Sequence, residues 1–382
     1  MRVYELNKDI NASRALEKLD VDKGGRTILA SKMQYHLIKI EKLHVGAANI
    51  LKQDALSIGA DLAVPKGVIL CEKEYVDAIL MATTKQLKTL SRKELAQPFG
   101  LKKLAKSLQN IHASSDDEPL EIMGVINANE DSFYEKSRFN SDAAIQSIEQ
   151  MILDGATIID LGGVSSRPGS KPVSVQEELE RVKPIIDVIA TKRLCDKVEF
   201  SIDSYTPQVV EYALSNGFSI VNDITGLADD RVAEIAAKYG AKVVIMHMLG
   251  TPSTMQDAPQ YEHLFEDIER FFRNAIEKAK KFGIENIILD VGIGFGKTLE
   301  DNLRLIKHLR HFKILGYPLL VGASRKSMID KILPTKVEDR LSATLAIHLE
   351  AVKNGASIIR CHDVKEHYQA FSIEKALKGI DW

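Results

Sequence analysis

The sequence predicts an α/β chain, a (β/α)8 TIM barrel preceded by a smaller α+β domain. Three observations carry that expectation. From Glu121 onward, short apolar runs alternate eight times with longer amphipathic stretches, and strands alternating with helices imply parallel pairing through right-handed crossovers. The eight units occupy about 260 residues, close to the length typical of a closed barrel. Nearly every run finishes in a polar or ionisable residue, at the end of the strand where barrels place their chemistry. An open doubly wound sheet is the alternative, but eight even units without a fingerprint turn speak against it.

The first 113 residues mix both periodicities. Ser13–Leu19 reads as helix with Ala15, Leu16 and Leu19 on one side, Tyr35–Ile40 as a half-buried strand, and Val45–Ile58 as helix. Val68–Leu70 and Val76–Met81 read as short strands, and Ser91–Leu108 as a basic amphipathic helix whose charge is a solvated face. No catalytic constellation stands out here. Residues 114–119, polar, acidic and closed by Pro119, are the expected linker, which leaves residues 120–382 for the barrel.

In the barrel, strands are expected near Ile122–Asn127, Thr157–Leu161, Val198–Asp203, Ser219–Asn222, Lys242–His247, Asn286–Asp290, Pro318–Gly322 and Ser357–Arg360. Helices are expected at Asp142–Leu153, Val175–Ala190, Gln208–Ser215, Asp230–Lys238, Glu262–Lys281, Leu299–Leu309 and Val337–Val352. The strand ends are Asn127, Asp160, Asp203, Asn222, His247, Asp290, the run Ser324-Arg325-Lys326, and Arg360 with His362. One such residue is better read as a helix cap; eight converging on one mouth are hard to explain by capping.

Composition narrows the chemistry. Hydrophobic residues at 45% are ample for a core, and 51 basic against 53 acidic residues give no support for a nucleic-acid or membrane partner. Cys71, Cys195 and Cys361 are odd in number and far apart, which argues for reduced thiols in a cytoplasmic protein without a disulfide frame or thiolate zinc site. The start carries no signal-peptide pattern, and no apolar run is long enough for a membrane span. The loop after Asp290 is rich in glycine at 292, 294 and 296, yet Val291 and Lys297 stand where Walker A and dinucleotide fingerprints need glycine.

The strand ends divide into two sets. Asp203, Asn222, Asp290 and Lys326 suit the edge of a flat heterocycle, with Met246, Ile224 and Phe295 over its faces. Asn127, Ser165, Ser166, Arg167, Arg360 and His362 suit phosphate or pyrophosphate, and Asn127 is a fitting oxygen ligand for Mg²⁺. His247 reads as a structural or hydrogen-bonding residue sooner than a metal ligand. No Ser-His-Asp or Cys-His arrangement is present.

Seven segments then match, in order, the strand-end motifs of one family. Met123-Gly-Val-Ile-Asn with Asp131-Ser-Phe, Gly162-Gly-Val-Ser-Ser-Arg-Pro-Gly and Ser201-Ile-Asp-Ser come first. Val221-Asn-Asp-Ile, Asp290-Val-Gly-Ile-Gly-Phe-Gly-Lys, Gly322-Ala-Ser-Arg-Lys-Ser and Arg360-Cys-His-Asp-Val follow. Over about Glu121 to His367 the chain resembles dihydropteroate synthase of folate biosynthesis, a pterin-binding barrel, a transferase and a sulfonamide target. The resemblance implies condensation of 6-hydroxymethyl-7,8-dihydropterin pyrophosphate with p-aminobenzoate, assisted by Mg²⁺, in a homodimer packed through barrel helices.

It also implies roles for particular residues. Asp203, Asn222, Met246, Asp290, Phe295, Gly322 and Lys326 would hold the pterin, and Asn127, Ser166, Arg360 and His362 the pyrophosphate, with Asn127 also on the metal. Phe133, Ser165, Arg167, Pro168 and Ser327 would form the p-aminobenzoate pocket, and Asp203, Lys326 and Arg360 are the expected catalytic set. The first loop here, Asn127-Ala-Asn-Glu-Asp-Ser-Phe, lacks the family's usual proline, and Val164 and Val291 depart from the usual glutamate and proline. A methyltetrahydrofolate–corrinoid methyltransferase, a related pterin-binding barrel, is the alternative. It needs no pyrophosphate site, so Arg360 and His362 argue against it. A third reading is a pterin-binding scaffold with a dead site.

Overall fold

The computed structural model describes every residue except 8–9, 114–118, 129–136, 165–172, 252–254, 256–258 and 381–382, and leaves out the side chains of 112–113 and 137–141. The chain forms two compact units, Met1–Ser115 with Ile373–Trp382, and Asp116–Ser372. The expected division put the last ten residues with the barrel. They group instead with the first unit, where the Arg14 guanidinium donates to the Gly379 carbonyl. Most of the expected linker, residues 114–118, lies outside the described residues.

The first unit is α+β. Helices α1 (Ala12–Lys18) and α2 (Lys23–Met33) precede strand β1 (Tyr35–His44), α3 (Val45–Ser57), β2 (Asp61–Ala63), β3 (Tyr75–Thr83), α4 (Thr84–Lys93) and α5 (Leu101–Ala113). The sheet is antiparallel in the order β1-β3-β2. On β3 the residues Val76, Ala78, Leu80 and Ala82 are buried while Tyr75, Asp77 and Ile79 are exposed, the alternation of a strand with one face on a core. Leu51, Leu62, Leu87, Leu90, Leu101 and Leu108 complete that core.

Two local expectations are corrected here, and one helix was not expected. Val68–Leu70 is a turn of 3-10 helix, not a strand, set between the left-handed residues Gly67 and Cys71. The single basic helix expected over Ser91–Leu108 is two helices, because Pro98 and Gly100, the latter at φ 83°, interrupt it. Helix α2 buries no residue and so left no apolar stripe to read.

Between α4 and α5 sits Glu94, fully buried beside the Asp54 carboxylate. Burial, reinforced by the Asp54 carboxylate, raises it from 4.5 to about 7. The folded state therefore holds this proton more tightly than the unfolded chain between those values, and the stability it contributes is lost as pH rises from 4.5 to 7. Glu94→Gln, which removes the charge at constant shape, is expected to raise stability at pH 8 by on the order of 2 kcal/mol and to change little at pH 4. Thermal unfolding at the two pH values tests this, and an equal change at both would remove the ionisation from the explanation.

The second unit is a closed barrel. Its strands are β4 (Glu121–Asn127), β5 (Ile158–Gly162), β6 (Glu199–Asp203), β7 (Ile220–Asp223), β8 (Lys242–Met246), β9 (Ile287–Asp290), β10 (Leu319–Val321) and β11 (Ile358–Cys361). Each pairs in parallel with the next, and β11 closes on β4. The helices around it are α6 (Ser137–Leu153), α7 (Val175–Thr191), α8 (Pro207–Ser215), α9 (Asp230–Tyr239), α10 (Leu264–Lys281), α11 (Leu299–Lys307), α12 (Ser327–Ile332), α13 (Leu341–Lys353) and α14 (Val364–Lys378). The last of these was not expected from sequence.

Two apolar layers fill the barrel. Phe200, Ile202, Val221, Val243, Ile245 and Leu289 face the helices, where Phe272 and Phe312 are fully buried. Met123, Ile158, Ile220, Val244, Ile288, Leu320 and Ile358 form a separate interior cluster, one from each strand but β6. Ser201 takes the equivalent place on β6, opposite Asp160 and Ile220. This inner ring decides what lies above it, because side chains two residues apart share a face.

Candidate active site

Two residues up each strand from the inner ring stand Asp160, Asp203, Asn222, Met246, Asp290, Gly322 and Arg360, and on β4 the same side carries Val125 and then Asn127. Two neighbouring pairs of this set are directly opposite, Asp203 with Asn222 and Met246 with Asp290, while other neighbours are staggered by two residues, as Asp160 opposite Ser201 shows. The period of two thus turns scattered sequence positions into one ring at the carboxyl ends of the strands.

An ion network closes part of that ring. The Arg360 Nε donates to Asp160 at 2.6 Å and its second amino nitrogen to Asp203 at 2.6 Å. The same oxygen of Asp160 accepts from the Asn222 amide at 3.0 Å, while its other oxygen is buried and has no partner among the described residues. Burial works against the charge on Arg360, but Asp160 and Asp203 outweigh it and hold the guanidinium above its ordinary value. Burial raises Asp203 from 3.8 to about 7, reinforced by Asp160, Glu178 and Asp223 and opposed by Arg360. Asp160, read from sequence only as a polar strand end, is thus the hub of the site. Its partners lie 62 and 200 residues away, a proximity that only the closed barrel supplies.

Beside this network, on β9 and the loops after β9 and β10, lie Asp290, Phe295 and Lys326. Asp290 accepts from the Gly292 amide at 2.7 Å, so it does cap its own loop. It also lies near Lys326, and burial raises its carboxyl against the pull of that ammonium. Lys326 donates to the Ile293 carbonyl and stands 4.5 Å from the centre of the Phe295 ring. Burial lowers it from 10.5 to about 8, with Asp290 opposing. The loop's glycines serve close packing rather than phosphate: at φ 67°, a Cβ on Gly292 would stand 2.0 Å from the His247 carbonyl oxygen.

Lys297, which defeated the dinucleotide motif, is a buried staple. Its ammonium hydrogen-bonds Nδ1 of His247 at 3.0 Å, the His247 carbonyl at 3.2 Å and the Phe295 carbonyl at 2.9 Å, one acceptor for each proton. Burial lowers it to about 7, and burial with Lys297 itself lowers His247 to about 3, which keeps that imidazole a neutral acceptor. His247 thus hydrogen-bonds Lys297 through both its ring and its carbonyl. Lys297→Met would leave three buried acceptors without a donor. It is expected to cost about 2 kcal/mol and to loosen the loop bearing Phe295. Calorimetry would measure the loss, and an unchanged midpoint would deny the staple.

The remaining expected residues are placed as follows. Ser324 shares a hydrogen bond with Nδ1 of His362 at 2.9 Å, which joins the β10 and β11 loops. Ser327 opens α12 and is exposed, and Asn127 is half-buried at the end of β4. Phe133, Ser165, Ser166, Arg167 and Pro168 lie outside the described residues. Beyond the expected set, Glu178 on α7 is buried and accepts from the hydroxyls of Ser204 and Thr206, both at 2.6 Å, which anchors the segment just after Asp203. Among the described residues, no helix is long and apolar enough to cross a membrane.

A barrel whose mouth joins a buried arginine, two carboxylates and an amide in one network, with a further carboxylate and a lysine beside it, fits a pterin-binding enzyme, and the family described as pterin binding enzyme matches residues 123–362. A bifunctional dihydropteroate synthase/dihydropteroate reductase of Helicobacter pylori is 41% identical over 381 residues and is matched over the full length of both chains. The dihydropteroate synthase of Escherichia coli is 43% identical over 258 residues, 67% of this chain and 90% of that one. Among solved structures, dihydropteroate synthase of Yersinia pestis in a sulfonamide complex superposes with a TM-score of 0.65 at 39% identity, over 70% of this chain and 96% of that one. The Xanthomonas albilineans enzyme in complex with 7,8-dihydropteroate gives 0.60 at 29% identity, over 70% and 95% of the respective chains. The chain belongs to the dihydropteroate synthase family.

Proposed function

We propose that the barrel condenses 6-hydroxymethyl-7,8-dihydropterin pyrophosphate with p-aminobenzoate to give 7,8-dihydropteroate and pyrophosphate. The observation that supports this reading best is Arg360 bridging Asp160 and Asp203. One fixed cation stands where pyrophosphate would leave, beside a carboxylate where positive charge would develop. In that reaction the bond between the pterin methylene carbon and the pyrophosphate oxygen breaks, and its electron pair leaves with pyrophosphate. The aromatic amine then attacks the conjugated cation and loses a proton. Pre-aimed charges of this kind stabilise a dissociative transition state without a nucleophile of the protein.

In this reading Asp203, Asn222, Asp290 and Lys326 grip the edge of the pterin, Met246 and Phe295 cover its faces, and Gly322 leaves room for it. Asn127, Ser166, Arg360 and His362 receive pyrophosphate, and Phe133, Ser165, Arg167, Pro168 and Ser327 receive p-aminobenzoate. Asp203, Lys326 and Arg360 act on the reacting atoms. No group of three or more His, Cys, Asp or Glu among the described residues could hold a metal. Mg²⁺ leans on phosphate oxygens and keeps several waters, so it needs few protein ligands. Asn127 would be its protein ligand, and the bound ion would supply charge neutralisation of the leaving group.

The activity belongs in the cytoplasm, with all three cysteines free, and in a homodimer. The direct test incubates the full chain with the pterin pyrophosphate, p-aminobenzoate and Mg²⁺ and follows pyrophosphate and dihydropteroate. Folded protein without turnover would sink the reading and favour a pterin-binding scaffold. A corrinoid methyltransferase finds no use for Arg360 and His362 as a pyrophosphate site.

A second activity for the same chain has one specific observation in its favour. The bifunctional Helicobacter relative matches this chain over its whole length, while the Escherichia synthase matches 67% of it. The first unit, which the resemblance to the synthases leaves unexplained, is the natural seat of dihydropteroate reduction. Oxidation of a reduced nicotinamide or flavin by the full chain, dependent on 7,8-dihydropteroate, tests that role, and no oxidation with an active synthase would remove it.

A further inference from the structure

His348 on α13 and His367 on α14 are both fully buried, and the proposed reaction gives neither a task. Their hydrogen bonds nevertheless determine one another. The Ala323 amide donates to Nε2 of His348 at 3.0 Å, so that nitrogen carries no proton. A neutral His348 then carries its proton on Nδ1, which faces Nε2 of His367 at 2.7 Å. That nitrogen must accept, so the proton of His367 sits on Nδ1, which faces the Asp363 carbonyl at 2.6 Å. A proton added at either Nε2 would point one N–H at another.

The residue at the head of this chain, Ala323, begins the β10 loop. Arg325, two residues on, has φ 56°, a conformation that costs a non-glycine residue energy and persists only where its surroundings impose it. Its amide donates to the Thr344 hydroxyl at 3.0 Å, and its carbonyl accepts from Arg340 at 3.1 Å. Its guanidinium forks onto Asp363 at 3.0 and 2.5 Å. Arg340, Thr344 and His348 are four residues apart and lie on one face of the helix. That single ridge therefore holds the backbone at both 323 and 325, and the segment it shapes ends in Ser324, bonded to His362, and Lys326, beside Phe295.

We propose that His348 and His367 are positioning residues for the transfer, a neutral one-way imidazole pair that fixes Ala323 and so sets the loop presenting Ser324 and Lys326 to the pterin pyrophosphate. The proposal rests on the synthase reading for its functional half and on geometry alone for the rest. The charged and titratable groups around the pair are Lys326 and His362 on the side of His348, and Asp363 and Glu366 on the side of His367. Burial, the largest influence on both rings, holds both below the ordinary histidine value.

Two measurements on the full chain decide it. Nitrogen-15 spectra of the imidazoles, assigned with His348→Gln and His367→Gln, are expected to show both rings neutral and protonated on Nδ1 from pH 5.5 to 8. Titration of either ring in that range, or a proton on Nε2 of either, would overturn the pair whatever the activity. Binding of the pterin pyrophosphate is then expected to weaken about 10- to 100-fold in His348→Phe, which supplies no acceptor to Ala323. His348→Gln, whose amide oxygen can supply that acceptor, is expected to stay within about threefold. Folded His348→Phe that binds like the parent would refute the positioning role. If His348→Phe does not fold, Thr344→Val, which strips the acceptor from Arg325, carries the same binding expectation. A parent that shows the expected spectra but never turns over would refute the synthase reading and leave the imidazole geometry standing.

Discussion

Arg360→Met is expected to lower kcat/KM by about a thousandfold or more and to destabilise the barrel by about 3–5 kcal/mol. Both effects follow from the two contacts at 2.6 Å to Asp160 and Asp203. Asp160 is fully buried, and with the guanidinium gone the Asn222 amide is its one remaining hydrogen-bond donor among the described residues. Two carboxylates would then share a buried site with no cation in contact, Lys326 acting on Asp203 only at longer range, and like charges there are costly. The catalytic loss has a different origin, because pyrophosphate would depart without the cation that neutralises it. The two effects should therefore separate. Adding Asp160→Asn to Arg360→Met is expected to recover much of the unfolding midpoint and none of the turnover. Thermal unfolding with steady-state kinetics on the parent, single and double variants measures this. Recovery of turnover together with stability would mean that Arg360 only holds the barrel together.

The barrel was legible because its strands are buried on both faces. Continuous runs such as Ile287–Leu289 have no other stable place, and the observed strands begin and end within about two residues of expectation. The ring at the mouth was legible for the same reason, since a polar residue that ends such a run lies on the inner or outer face by parity alone. Roles were harder to read. Asp160 looks like any other strand end until the barrel closes and brings Arg360 to it, and Lys297 looks like a failed motif until His247 and Phe295 surround it. The pair His348–His367 lies on helices, outside every strand-end motif in sequence, although it bonds the loops after β10 and β11. In the first unit β3 showed its alternation plainly, but α2 buries nothing and left no pattern. Periodicity reports burial, and an element without a buried face is silent in it.

Asp203→Asn is expected to lower kcat about 100- to 1,000-fold while leaving the affinity for the pterin pyrophosphate within about threefold. Asparagine keeps an oxygen for Arg360 and much of the shape at the pterin edge, but not the negative charge. That charge matters only when the methylene carbon becomes cationic, so the loss belongs to the transition state. The pH dependence sharpens the test. Burial raises Asp203 to about 7, and the ionised form is the one that stabilises the cation. Parental kcat should therefore fall as pH drops below 7, approaching tenfold per unit, while the residual rate of Asp203→Asn should lack that dependence. Equal losses in binding and turnover would instead make Asp203 a plain pterin contact. Stability runs the other way over the same window. The folded carboxyl holds its proton more tightly than the unfolded one between 3.8 and about 7, so its contribution to stability declines as pH rises through that range. The form of Asp203 that catalysis requires is thus the form that burial disfavours despite Arg360, and the developing pterin cation adds a second partner for its charge.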